Sequence, residues 1–291
     1  MRPLARSPAL FLIVASAAFA TSGPLARAAR PTHPLVIAFG RVALAAVVLF
    51  ALDPAGIVLS MRRMTRRQRG AVVLAGALLA AHFALFTWGL DQTSLPAAIS
   101  LVSLEPLSVL LFAWAFHRAR PSRIELVGVG LATVGAVIVG RSAGAGEHKI
   151  LGDLLVLGAV ALYGAYVAVA RGVRDALAVR HYACLVYGFA AAVLAVAIAL
   201  SGATIRSAAS TRGVLSIVAL ALVPTIVGHT AVQAAARDLS PSVVALVSPG
   251  ETLGGILIGV TLMHALPTGF ELLGALVIVA GATISLVGTR G

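Results

Sequence analysis

Two carboxylates stand where a charge is hard to keep. Glu105 in LVSLEP (101–106) and Glu251 in LVSPGE (246–251) each lie about ten residues into an apolar run long enough to cross a membrane. Ionisable side chains at that depth are rare, and they mark ion or substrate pathways or pair with an opposite charge. A carboxylate there can take up and release a proton, bind a substrate ammonium group, or fix helix packing as a buried hydrogen-bonding acid. Arg41, seven residues into another apolar run, is the cation that could hold one of them ionised, Glu105 in particular.

Other polar groups fall in the same kind of setting. His82 and His229 can titrate near neutral pH, or each can stay neutral and bond a backbone carbonyl. Gln233 follows His229 by one helical turn, so the two share a helix face. Tyr163 and Tyr166 are three apart on one face, and their hydroxyls need partners away from lipid. Pro106, Pro249 and Gly250 stand beside the two carboxylates. A proline frees a carbonyl and weakens the helix, so these three are candidates for helix breaks and gating. The glycines at 250, 254, 255 and 259 form small-xxx-small pairs suited to close helix packing. No G-x-x-x-x-G-K loop, H-E-x-x-H or nucleophile elbow occurs. The expectation is no enzyme, no metal and no cofactor. One cysteine, Cys184, excludes an intrachain disulfide.

The elements that must position these groups follow from composition. The chain has 291 residues, 60% of them hydrophobic and 11% charged, which is the composition of a polytopic membrane protein. The net charge of +12 is scattered in short clusters between apolar runs, the pattern of topology signals rather than of a nucleic-acid face. Ten spans are read by length, at 8–27, 34–52, 70–90, 95–116, 124–142, 151–170, 181–201, 213–234, 241–263 and 270–289. Fifteen Arg fall on the side of MRRMTRRQRG (61–70) and six Arg or Lys on the other. That asymmetry predicts both termini, 61–70 and 117–123 in the cytoplasm, with 143–148 and 203–211 outside. Arg2, Arg6 and AAFA (17–20) also have the form of a cleavable signal peptide, but the first helix is needed for a repeat.

That repeat sets SLPAAISLVSLEPL (94–107) against LSPSVVALVSPGETL (239–253). Pro96 meets Pro241 and Ser103 meets Ser248. After one inserted residue, Glu105 meets Glu251, Pro121 meets Pro267, Glu125 meets Glu271 and Gly128 meets Gly274. Five spans per copy is an odd number, so residues 1–145 and 146–291 must cross in opposite senses. The expected fold is all-α, a polytopic membrane protein of ten transmembrane helices as two inverted five-helix repeats. Inverted repeats occur in secondary transporters, with the site near the bilayer midplane where the halves meet.

The chain resembles the EamA-type transporters of the drug/metabolite transporter superfamily over essentially its whole length. The resemblance rests on FATSGPLARAARPTHPLVIAFGRVALAAVVLF (19–50), LDQTSLPAAISLVSLEPLSVLLFAWAF (90–116), IELVGVGLATVGAVIVG (124–140), DLLVLGAVALYGAYVAVARG (153–172) and the 239–288 copy. It departs in having Phe19 where the family often has tryptophan, and HRAR where an acidic residue often follows the fourth span. The resemblance implies inner-membrane export of a small metabolite such as an amino acid by alternating access. Uptake by the same fold, a non-transporting sensor and an intramembrane enzyme are the alternatives. Expected partners are the small-molecule substrate, the lipid bilayer, a possible coupling proton and at most a second copy, as monomer or homodimer, with no nucleic acid.

Overall fold

The computed structural model describes residues 8–142, 149–173, 176–203, 210–263 and 268–288, and there the chain is helical without strands. The expected outer loop at 143–148, and residues 204–209 of the one expected at 203–211, lie outside the described residues. The first half carries α1 (Pro8–Ala20), α2 (Ser22–Ala28), α3 (Pro34–Leu52), α4 (Pro54–Arg63), α5 (Arg66–Gln92), α6 (Leu95–Val102), α7 (Glu105–His117) and α8 (Arg123–Ser142). The second carries α9 (Ile150–Arg171), α10 (Val179–Ser201), α11 (Thr211–Leu220), a π-helical stretch over Ala221–His229, α12 (Thr230–Asp238), α13 (Pro241–Val244), α14 (Val247–Met263) and α15 (Gly269–Gly288).

Among the described residues, nine helices are long and apolar enough to cross a membrane. The span expected at 124–142 is not one of the nine. It is nevertheless a helix of 20 residues, α8. What the sequence reading took as a plain basic loop at 61–70 is otherwise. Pro54–Arg63 forms a ten-residue helix, α4, started by Asp53, whose carboxylate accepts from the Gly56 N–H at 3.0 Å. A second start follows at once, where Thr65 and Gln68 close a capping box on α5.

Helix starts repeat through the chain. Ser94 caps α6 and Ser240 caps α13, 146 residues apart. Ser122 and Glu125 form a reciprocal cap at the head of α8. Thr268 and Glu271 do the same at the head of α15. Glu125 and Glu271, paired by the alignment, are therefore helix caps.

The packing is also duplicated, across the halves. α7 packs on α9 and α14 on α1; α9 packs on α5, and α1 on the π-helical stretch and α12; α10 packs on α3; α8 packs on α15. Each pairing is the image of another, or of itself, when the two halves are exchanged. The α8–α15 seam is closest. A Cβ at Gly128 would lie 2.6 Å from the Gly281 carbonyl oxygen, and one at Gly135 would lie 2.7 Å from that of Gly274. The numbering rises on α8 as it falls on α15, so the two helices run antiparallel. Shifting Gly128 by 146 residues gives Gly274, and shifting Gly135 gives Gly281. The two contacts thus exchange into one another, as a pseudo-two-fold axis through the seam requires. Only bare backbones can meet so closely.

The expected helix breaks lie at 103–104, directly before Glu105, and at 245–246, about one turn and a half ahead of Glu251. α6 ends at Val102 and α7 begins at Glu105. α13 ends at Val244 and α14 begins at Val247. Pro106 sits in the first turn of α7, where its missing N–H is harmless, and Pro249 and Gly250 lie in the first turn of α14.

Candidate functional site

The interior of the bundle holds a small cavity lined by Phe19, Ser22, Arg41, His82, Phe83, Phe86, Val102, Glu105, Tyr163, His229 and Glu251. Nine elements supply it: α1, α2, α3, the middle of α5, the last residue of α6, the first of α7, α9, the π-helical stretch through His229, and α14. Both halves contribute one carboxylate and one histidine. Its volume is about 30 Å³, room for roughly one or two waters and for no organic solute.

Arg41 is buried, 1% exposed. Its Nε donates to Thr225 Oγ1 at 3.0 Å and a terminal nitrogen to Ser22 Oγ at 3.5 Å. The guanidinium lies over the Phe83 ring, 3.9 Å from its centroid, as a cation–π contact. The expected ion pair with Glu105 does not form; hydroxyls and a ring face hold the guanidinium instead.

Thr225 reaches Arg41 because of a local irregularity. Pro224, inside the π-helical stretch, has no N–H to give to the preceding turn. The Leu220 carbonyl is taken by the Thr225 hydroxyl at 2.8 Å. Tyr187 donates its hydroxyl to the Thr225 carbonyl at 3.0 Å. Such π-bulges gather at functional positions.

Glu105, buried at the first position of α7, accepts from the Ser248 hydroxyl at 2.5 Å. Glu105 stands in the first turn of α7, where the helix dipole favours a negative charge. Ser248 lies in the first turn of α14, so this bond joins the two halves. Glu251, one turn beyond Ser248 in α14, has no side-chain hydrogen bond or ion pair among the described residues. The two glutamates are therefore equivalent in sequence and unequal in anchorage.

The histidines come together, with ring centroids 6.5 Å apart, edge to face. The Nδ1 of His82 is 2.9 Å from the Ala159 carbonyl. A carbonyl only accepts, so that nitrogen carries the hydrogen. The Nδ1 of His229 is buried without a hydrogen-bond partner among the described residues, and the ring lies 4.7 Å from that of Phe19 and 5.1 Å from that of Phe83 between centroids. A buried, unpaired ring nitrogen beside a cavity is a site for a water or a ligand group. Tyr163 lines the cavity, 5.4 Å from His82 between ring centroids. Tyr166 and Gln233 stand behind it, where the Gln233 amide donates to the Tyr166 hydroxyl at 2.8 Å. Gly250 and Gly254 take up close contact with Ser16 and Ala20 of α1, as bundle packing.

Of the residues singled out in the sequence, Arg41, His82, Glu105, Tyr163, His229 and Glu251 converge on the cavity. Tyr166 and Gln233 form its support. Ser22, Thr225, Ser248 and the rings of Phe19 and Phe83 were missed. Pro224 in the middle of a span was the available signal for Thr225.

The model of the EamA-like transporter family matches residues 6–141 and again residues 150–287. A solved structure described as "Crystal structure of protein" superposes with a TM-score of 0.79 at 18% sequence identity, covering 98% of this chain and 100% of that one. At that identity the likeness is one of fold.

Proposed function

This chain belongs to the EamA-like transporter family, a family of polytopic membrane transporters, and from that premise we propose that it is a proton-coupled secondary exporter of a small zwitterionic metabolite such as an amino acid. It works from the inner membrane, with ten spans in two inverted repeats, residues 1–145 and 146–291, and both termini in the cytoplasm. The observation that carries the reading is the convergence of two carboxylates, an arginine and two histidines from both halves on one small interior cavity.

The chemistry suits a zwitterion. Glu251, unanchored, meets the substrate ammonium or a proton, one excluding the other. Arg41 offers its remaining N–H groups to the substrate carboxylate as a planar fork. Phe19, Phe86 and Val102 accept an apolar side chain. Glu105, fixed by Ser248, joins the halves and keeps the second carboxylate in place. Because the cavity is too small for an organic solute in this conformation, substrate entry requires the bundle to open on one side, as alternating access around a fixed site does.

The test uses purified protein in liposomes with an imposed pH gradient and a panel of labelled amino acids. Glu251→Gln keeps the side chain's shape but cannot titrate. It is expected to abolish proton-driven accumulation while leaving exchange of substrate across the membrane measurable. Glu105→Gln is expected to retain proton coupling with a reduced rate. If the wild type moves none of the panel, or both variants keep the wild-type rate and pH profile, the reading is wrong.

A further inference from the structure

Away from the central cavity, α3, α4, α5 and α10 enclose an open groove of about 920 Å³. That volume is within the range of roughly 300–1,000 Å³ typical of pockets for organic ligands. Its walls are apolar, from Phe50 of α3, Met61 of α4, Val73 of α5 and Gly188 of α10. Its charged lining residues are Arg62 and Arg69, both exposed, one at the end of α4 and the other in the first turn of α5. Arg69 donates one N–H to the Arg62 carbonyl at 3.4 Å, which leaves its other donors and the whole Arg62 guanidinium turned outward. Three more arginines, Arg63, Arg66 and Arg67, lie in the same stretch.

We propose that this groove is a binding site for an anionic glycerophospholipid, one acyl chain in the apolar trough and the headgroup phosphate on Arg62 and Arg69. The arrangement is amphipathic in the sense a lipid is: apolar along its length and cationic at one end only. Basic pockets beside transmembrane helices recognise anionic headgroups in this way, and the arginine fork matches a phosphate bidentately. From Cys184 to Ala192, the stretch of α10 along the groove, is roughly 12 Å at 1.5 Å per residue, so the trough takes the upper part of a chain and leaves its tail in the bilayer. A zwitterionic lipid could fill the trough but would gain less from two arginines. The charge is what selects the occupant.

Gly188 makes the test clean, since a Cβ there meets nothing within 4 Å. Gly188→Phe therefore starts from an unobstructed Cβ on the wall of the trough. Purified protein would be titrated with phosphatidylglycerol and phosphatidylcholine of equal chain length, and bound lipid counted by native mass spectrometry. The wild type is expected to retain phosphatidylglycerol at least about fivefold over phosphatidylcholine, in line with phosphate-directed charge recognition. Arg62→Gln with Arg69→Gln is expected to bring the two lipids to parity, and Gly188→Phe to lose retention of both at an unchanged melting temperature. Should Gly188→Phe not fold, Ala192→Leu, at another exposed position on the trough, is the second filling variant. Equal retention in the wild type, or an anionic preference that survives the double glutamine variant or a folded filling variant, overturns the site.

Discussion

At the scale of single residues, Arg41 is the group on which the site turns. A buried guanidinium held by Thr225, Ser22 and the Phe83 face depends on planarity, which lysine lacks. Arg41→Lys keeps the charge but loses the ring contact and the fork. Transport is expected to fall by roughly tenfold or more, the scale of about 1–2 kcal/mol in a charge-assisted contact, with melting temperature changed by only a few degrees. An unchanged rate in the liposome assay would remove Arg41 from the substrate path. The charged members of this site were legible in the sequence because an Arg, Glu or His in an apolar span stands out. The hydroxyls were not. Ser and Thr in spans commonly satisfy themselves on a carbonyl three or four residues back, as Thr87 does on Phe83. Ser22, Thr225 and Ser248 gained roles only through tertiary contacts 19, 184 and 143 residues away in sequence.

At the scale of elements, two contacts invite measurement. The α8–α15 seam has no room for a methyl group at Gly128 or Gly281. Each Gly→Ala change is expected to destabilise by about 1–3 kcal/mol, the usual range for overpacking. The two residues share one crossing, so the double variant should fall short of the sum of the singles. Additive losses in thermal unfolding would place the two glycines in independent contacts. The second contact ties α4 to α10. Asp53 accepts from His181 Nε2 and from Arg180, each at 2.8 Å, while Ser60 bonds His181 Nδ1 at 2.7 Å. The His181 hydrogen bond, then the Gly56 N–H, with a smaller contribution from Arg180, hold the Asp53 carboxyl below its ordinary value of 3.8. A depressed folded value means that the contact stabilises fully above the ordinary value and is lost as pH falls through the lower one. Asp53→Asn, which preserves the helix cap, is expected to lower the melting temperature at pH 6, and the gap from wild type is expected to close toward pH 3 and below. A gap that is constant over that interval would mean the carboxylate charge contributes nothing. Nine of the ten expected spans were readable from apolar length. α4 was not, because its ten residues carry too few apolar side chains for a span and end in the arginines that read as a loop. The π-helical stretch was hidden for a different reason: its hydropathy is that of any other span.

At the scale of the whole molecule, orientation is the property to measure. The Arg and Lys asymmetry predicts position 66 inside and position 149 outside. With the buried Cys184 changed to alanine, Arg66→Cys and Lys149→Cys would each be exposed to a membrane-impermeant thiol reagent in intact cells. Labelling is expected at 149 and not at 66; the reverse pattern would turn the protein over in the membrane. The duplication was visible from Pro96 and Pro241, Ser103 and Ser248, Glu105 and Glu251. What sequence could not reveal is that the halves interleave, since an alignment relates equivalent residues and says nothing of which ones touch.

That interleaving fixes an order of events during synthesis. Gly135 is synthesised 146 residues before Gly281, a delay of roughly 7–30 s at 5–20 residues per second. During that interval the glycine seam of α8 has no partner, and α7 waits for α9. The newborn first half is thus an unfinished surface whose partner is still on the ribosome, and a separately expressed second half supplied at that moment would compete for the same seam.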